Sequence, residues 1–135
     1  MEREGFSATV YTCPAGKQSI GYGFNLEAGI TKGEALALLR YKLEYLESIL
    51  EYTFPWFAAL GRARKDVLIE MAFQMGVEGL LEFKKTLAAV AEGRYKAAAL
   101  EMLNSRWGKI DTPGRAKFLS EIMERGTLKA PQAKR

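Results

Sequence analysis

The stretch Val67 to Gly76 reads VLIEMAFQMG, and its reading decides the architecture. Val67-Leu68-Ile69, Met71-Ala72-Phe73 and Met75 make a helix that is apolar nearly all round, and such a helix belongs in the middle of a core. It is expected to run from about Leu60 to Met75, with Gly76 as its stop and Gly79 close behind.

Downstream, Leu80 to Ala91 and Tyr95 to Leu103 read as two further helices separated by Glu92-Gly93. Thr112-Pro113 opens another, with Thr112 as cap and Pro113 at the first helical position, and Arg125-Gly126 closes it. The tail LKAPQAKR is basic, contains a proline, and is expected to fray. Upstream, Thr31-Lys32-Gly33-Glu34 has the form of a capping box. Leu36, Leu39, Leu43, Leu46 and Leu50 then follow at steps of three and four, one stripe along a helix of about twenty residues. That stripe is under three heptads, too short for a coiled coil. Tyr52-Thr53-Phe54-Pro55-Trp56 breaks the helix.

Before the helices the period is two. Ala8 to Tyr11 is β-branched and aromatic enough for a strand, Cys13-Pro14-Ala15-Gly16-Lys17 carries turn signals, and Ser19 to Phe24 returns with Gly21 and Gly23 at alternate places. A turn centred on Gly16 would set Cys13 opposite Ser19. Alternating glycines would leave one face of the return strand bare, open to close approach by a ligand or another backbone. The expected fold is therefore α+β: a hairpin lobe over about residues 1–30, an inter-lobe helix over about 31–51, a helical lobe over about 56–128 and a basic tail over 129–135. Together they form one domain with a cleft between the lobes as the natural ligand site.

Composition narrows the chemistry. The 135 residues are 48% hydrophobic, enough for a buried core and too apolar for a disordered chain. Histidine is absent, which excludes a histidine-based triad and the usual histidine-rich zinc sites. One cysteine cannot form an internal disulfide. No apolar run approaches the roughly 20 residues of a membrane span, and MEREG is too polar and short for a signal peptide. A net charge of +4 favours a polyanionic partner such as nucleic acid, an acidic membrane or a bacterial wall. Basic residues are interleaved with acidic ones and no nucleic-acid motif is evident, which disfavours nucleic acid.

Four blocks in one order carry a resemblance. The central VLIEMAFQMG, the NSRW of Asn104 to Trp107 followed by TPGRAK from Thr112 to Lys117, the helix start ITKGEA from Ile30, and the strand SIGYGF from Ser19 are similar to the phage-type lysozymes, the muramidase endolysins of T-even and related tailed phages. The likeness covers Arg3 to about Leu128. It implies a lysozyme-like fold and hydrolysis of the β-1,4 bond between N-acetylmuramic acid and N-acetylglucosamine in peptidoglycan.

The family's catalytic pattern is Glu, eight residues, Asp, five residues, Thr; here Glu4, Cys13 and Ser19 stand at those positions. The resemblance implies that Glu4 is the general acid, since protonating a glycosidic oxygen needs a carboxylic acid within hydrogen-bond reach. Without it, Glu4 would read as a solvated charge. Cys13 has three readings. It takes the place of the Asp as base or nucleophile, fills the position as a small residue in an altered mechanism, or marks a lost activity. Ser19 keeps the hydroxyl of the usual Thr. No other carboxylate stands at matching spacing to take over.

Phe73 and Gln74 match cleft-floor residues of the family. Gln74 either hydrogen-bonds a sugar or peptide group or is a buried polar residue capping the helix end. Trp107 matches a core aromatic beneath the cleft. Arg106, Arg115 and Lys117 either bind peptide carboxylates of the wall or form a solvated basic face. Three departures from the family pattern stand out. Only Met1-Glu2-Arg3 precede Glu4 where members usually have a full helix, Phe24 stands where many have His, and the segment between Trp107 and Thr112 is one residue longer than in the lysozyme of T-even phages.

No cofactor or metal is implied. The expected partner is the peptidoglycan glycan strand, with no nucleic acid, no stable membrane insertion and a monomeric protein. The expected location is the host cytoplasm until holin-type release to the wall. The alternative is a non-catalytic wall-binding or virion structural protein that kept the fold, and Cys13 is the residue that favours it.

Overall fold

The computed structural model describes residues 7–12, 18–21, 24–25 and 28–127. The chain divides into two compact units, Met1–Arg40 and Tyr41–Arg135. Glu4 and Cys13 lie outside the described residues.

In the first unit, β1 (Ser7–Thr12), β2 (Gln18–Gly21) and β3 (Phe24–Asn25) form an antiparallel sheet in that order. Its register corrects two expectations. Tyr11 pairs with Ser19 and Thr12 with Gln18, two residues away from the pairing that a turn centred on Gly16 requires. Ser19 therefore stands opposite Tyr11 rather than Cys13. The expected single return strand is also two strands, for Ser19 pairs again with Asn25 and Ile20 with Phe24. Gly21 thus sits where β2 ends and the chain reverses, a use of glycine that competes with the bare strand face. Between Ser7, paired with Gly21, and Tyr11 the ladder shifts register in a bulge.

Helix α1 spans Lys32–Thr53. Its capping box forms as expected. The Thr31 N–H donates to Glu34 Oε1 at 2.7 Å, and the Glu34 N–H donates to Thr31 Oγ1 at 3.1 Å. Within the second unit, Leu50 is fully buried and Leu43 and Leu46 pack against the core, whereas Leu36 and Leu39, in the first unit, are exposed. The helix ends two residues ahead of Pro55, which biases Phe54 away from helical geometry. Phe54 and Trp56 stack at 4.7 Å to close the corner.

The core of the second unit is built around α2 (Arg62–Leu81). Val67, Leu68, Met71 and Ala72 are 1% exposed or less. They cluster with Leu50, Phe57, Met102 and Met123, so the centre of VLIEMAFQMG is the centre of the packing. Full burial of each large side chain here is worth about 1.5–3 kcal/mol. The helix does not stop at Gly76, and this corrects the expected boundary. Gly76 breaks the helical path with φ 81° and ψ 159°, after which a second helical stretch continues to Leu81. That backbone region is almost exclusive to glycine, so Gly76 makes a kink and not a cap. Leu80 accordingly belongs to the last turn of α2 as a buried residue, and α3 begins later than expected, at Lys84, and runs to Ala91.

Helix α4 (Tyr95–Leu103) and helix α5 (Pro113–Arg125) have the expected bounds. At the end of α5, Gly126 adopts φ 78° and its N–H donates to the Ile122 carbonyl at 2.7 Å. Arg64 of α2 completes that terminus. Its Nε donates to the Met123 carbonyl at 2.7 Å and its Nη2 to the Glu124 carbonyl at 2.9 Å, a cation on the last orphan carbonyls of a helix. The same guanidinium lies 3.5 Å from the ring centroid of Tyr95. A Cβ at Gly126 would stand 2.8 Å from Arg64 Nη1, so the glycine serves both the left-handed turn and the close approach. Arg62 joins α1 to α2 through Glu47, with contacts of 3.0 and 3.1 Å, and also reaches Asp66. Those hydrogen bonds, Glu47's first, raise its affinity for its proton above the ordinary arginine value. Among the described residues, no helix is long and apolar enough to cross a membrane.

Candidate active site

The segment joining α4 to α5 shapes the site. Trp107–Asp111 forms a π turn, closed by the Thr112 N–H donating to the Trp107 carbonyl at 3.0 Å. Ser105 pins its start. The Ser105 hydroxyl donates to the Met102 carbonyl at 2.7 Å and accepts the Gly108 N–H at 3.0 Å. Gly108 is obligatory there, because a Cβ would fall 2.4 Å from the Met102 carbonyl oxygen.

Thr112 does not cap α5 as expected. Its carbonyl accepts the Ala116 N–H at 2.8 Å, but its hydroxyl makes no hydrogen bond to the helix and is buried without a partner among the described residues. Its N–H is committed to the π turn, and its backbone, at φ −142° and ψ 68°, follows from that closure.

The π turn carries Trp107 into the core, where it is 7% exposed and meets Phe83 edge-on at 5.9 Å. Core packing is therefore its observed role. Its one polar atom is satisfied, because Nε1–H donates to Gln74 Oε1 at 3.0 Å. Gln74 is exposed, which overturns the reading of a buried polar cap. Its other end, Nε2, donates to Glu70 Oε2 at 3.2 Å, one turn back along α2. Phe73, its neighbour, is 45% exposed, a large apolar surface beside a polar network.

Arg115 of α5 joins the same network. Its Nη2 donates to Glu70 Oε1 at 2.7 Å and its Nε to Oε2, a bidentate pair that raises the guanidinium above its ordinary pKa. The guanidinium also lies 4.9 Å from the Phe118 ring centroid. The structure thus brings Gln74 and Arg115 together through Glu70, a residue that the motif reading passed over. The signal that could have found it is the i, i+4 spacing of Glu70 and Gln74 on a helix otherwise apolar in this stretch.

Arg106 stands apart from this network. It approaches Asp111 at 3.5 Å, is largely exposed, and lines an open groove of about 580 Å³ together with Met75, Gly79, Phe83, Lys85 and Trp107. Lys117 is exposed on α5. Ser19 lies in β2 between Tyr11 and Asn25 in the sheet. Among the described residues no group of three His, Cys, Asp or Glu could hold a metal ion.

The phage lysozyme family pattern matches residues 1–125, and the chain belongs to that family. The chain is 36% identical over 104 residues to "Probable T4-type lysozyme 1" of Dictyostelium discoideum, an alignment covering 75% of this chain and 61% of that protein. It is 41% identical over 66 residues to "Probable T4-type lysozyme 2" of the same organism, covering 49% of this chain and 38% of that protein. It is also 36% identical over 76 residues to the pre-baseplate central spike protein Gp5 of Enterobacteria phage T4, covering 56% of this chain but 13% of the spike protein. The chain therefore spans about three fifths or less of the length of these relatives. Its mainly helical architecture is consistent with a lysozyme-like fold.

Proposed function

We propose that this member of the phage lysozyme family is a peptidoglycan hydrolase. It cleaves the β-1,4 bond between N-acetylmuramic acid and N-acetylglucosamine and serves host-cell lysis. The observation that carries the proposal is the family match over residues 1–125, a span within which Glu4 falls. In this reading the sheet-bearing N-terminal segment (about 1–30) leads through α1 (Lys32–Thr53) into the helical lobe (about 56–128).

The chemistry needs one proton donor and one nucleophile. Glu4, which must carry a proton to act, gives it to the glycosidic oxygen as the bond to the anomeric carbon breaks. Positive charge builds on the sugar ring in an oxocarbenium-like transition state. A water then bonds to the anomeric carbon and gives up its proton to a base, with Cys13 as thiolate base and Ser19 holding the water. In the variant with Cys13 as nucleophile, the thiolate bonds first and water displaces it. Phe73 and Gln74 line the floor of the site, and Arg106 and Arg115 border it on the wall-peptide side. No cofactor or metal takes part. The protein works as a monomer and waits in the host cytoplasm for holin-type release.

A second reading has specific support. The relative Gp5 is, by its name, a spike protein of the phage pre-baseplate, and the resemblance puts Cys13 where the family has Asp. A non-catalytic wall-binding or virion role fits both facts. Incubation with purified peptidoglycan and analysis of the soluble products separates the two. New reducing ends on N-acetylmuramic acid support the hydrolase, and binding without new reducing ends supports the structural role.

A further inference from the structure

We propose that Glu70 is a positioning residue for Gln74. Its carboxylate, held by Arg115, fixes which way round the Gln74 carboxamide stands and therefore which polar groups it offers to a ligand. The inference rests on the reading in which Gln74 contacts the substrate. It starts from the two ends of one side chain. Gln74 Oε1 accepts the Trp107 indole N–H at 3.0 Å, and Nε2 donates to Glu70 Oε2 at 3.2 Å. Turned round, the amide would set its NH2 against the indole N–H and its oxygen against a carboxylate, two repulsive contacts in place of two hydrogen bonds. Trp107 is immobilised by burial, so it is a fixed donor. Glu70 would be a loose acceptor on its own, but Arg115 grips both of its oxygens from α5.

Magnitude argues against a purely structural role for the Glu70–Arg115 pair. The side chains of Glu70 and Arg115 are 29% and 48% exposed, and ion pairs so exposed contribute about 0–1 kcal/mol to stability. What the arrangement does provide is orientation. After both contacts, Gln74 keeps one N–H and one lone pair, and its side chain is exposed next in the chain to the half-exposed Phe73. An amide locked in one orientation offers that donor and that acceptor in a set order, without an ordering cost at binding.

The experiment compares wild type, Glu70→Ala, Gln74→Ala and the double variant in two arms. In the first, the ¹⁵N–¹H spectrum follows the indole N–H of Trp107 and the side-chain amide of Gln74, with Trp56 as internal control. Glu70→Ala should shift or broaden the Trp107 and Gln74 signals and leave Trp56 in place. In the second, turnover of soluble disaccharide-peptide oligomers from purified peptidoglycan gives kcat and KM. Glu70→Ala should raise KM about five-fold, the equivalent of one hydrogen bond, with kcat nearly unchanged. In the Gln74→Ala background the same substitution should change KM by less than about two-fold. Equal KM effects in both backgrounds, or an unmoved Trp107 signal in Glu70→Ala, would overturn the assignment. A wild type that turns over no oligomer defeats the hydrolase reading instead, and the spectral arm then still decides whether Glu70 orients Gln74.

Discussion

Trp107 and Gln74 meet at 3.0 Å, an indole N–H from the core donating to a carboxamide at the surface. Gln74 is exposed, yet it supplies the acceptor for a side chain that is 7% exposed. Removing that acceptor leaves a buried donor unpaired, which costs about 1–3 kcal/mol. Gln74→Ala should therefore lower stability by that amount in denaturant unfolding, far more than an ordinary surface substitution. Gln74→Glu, which keeps an acceptor oxygen, should recover part of the loss.

Thr112 gives a prediction whose sign separates two roles. A threonine capping through its hydroxyl would lose about 1 kcal/mol when the hydroxyl is removed. Here the hydroxyl is buried and without a partner among the described residues. Thr112→Val keeps the shape and removes an unsatisfied polar group, so the melting temperature should rise or stay level. A clear fall would show that the hydroxyl is bonded in solution.

At Gly76 the prediction is steric. With φ 81° and ψ 159°, any side chain is strained whatever space surrounds it, and GLY→Ala-type changes in such regions cost about 1–3 kcal/mol. Gly76→Ala should lower the unfolding midpoint accordingly, although nothing lies within 4 Å of the added Cβ. An unchanged midpoint would mean that the kink relaxes into continuous helix.

These positions also show how far the fold was legible. The capping box of Thr31 and Glu34, the buried centre of VLIEMAFQMG and the glycine end of α5 follow from local rules of capping and periodicity, and the structure agrees. The continuation of α2 past Gly76 was not legible, because a glycine that kinks and a glycine that caps look alike in sequence. The π turn was hidden for a related reason, since its i→i+5 closure depends on Gly108 fitting against the Met102 carbonyl. The Glu70–Arg115 pair joins residues 45 positions apart, beyond the reach of any local pattern. The sheet register was misjudged because several turn centres fit a segment as rich in turn residues as CPAGK.

Cys13 is the sharpest test of the proposed chemistry. If it does the work of the family's Asp, Cys13→Ala should lose most activity on purified peptidoglycan, and Cys13→Asp should keep or raise it. Alkylation should inactivate the wild type and spare Cys13→Asp, since the chain has one cysteine. Activity should rise with pH as thiolate forms and fall once Glu4 loses its proton, a narrow overlap unless the site lowers the thiol pKa. A fully active Cys13→Ala enzyme would leave Glu4 working with water held by Ser19.

The most direct measurement compares wild type with Glu4→Gln for the release of N-acetylmuramic acid reducing ends from purified peptidoglycan. The substitution keeps size and polarity and removes the donated proton. The rate should fall by roughly 10²- to 10⁴-fold, while peptidoglycan binding and melting temperature stay at wild-type values. Release at the wild-type rate by Glu4→Gln would contradict the account, because the acid at the centre of the mechanism would then be doing no chemistry.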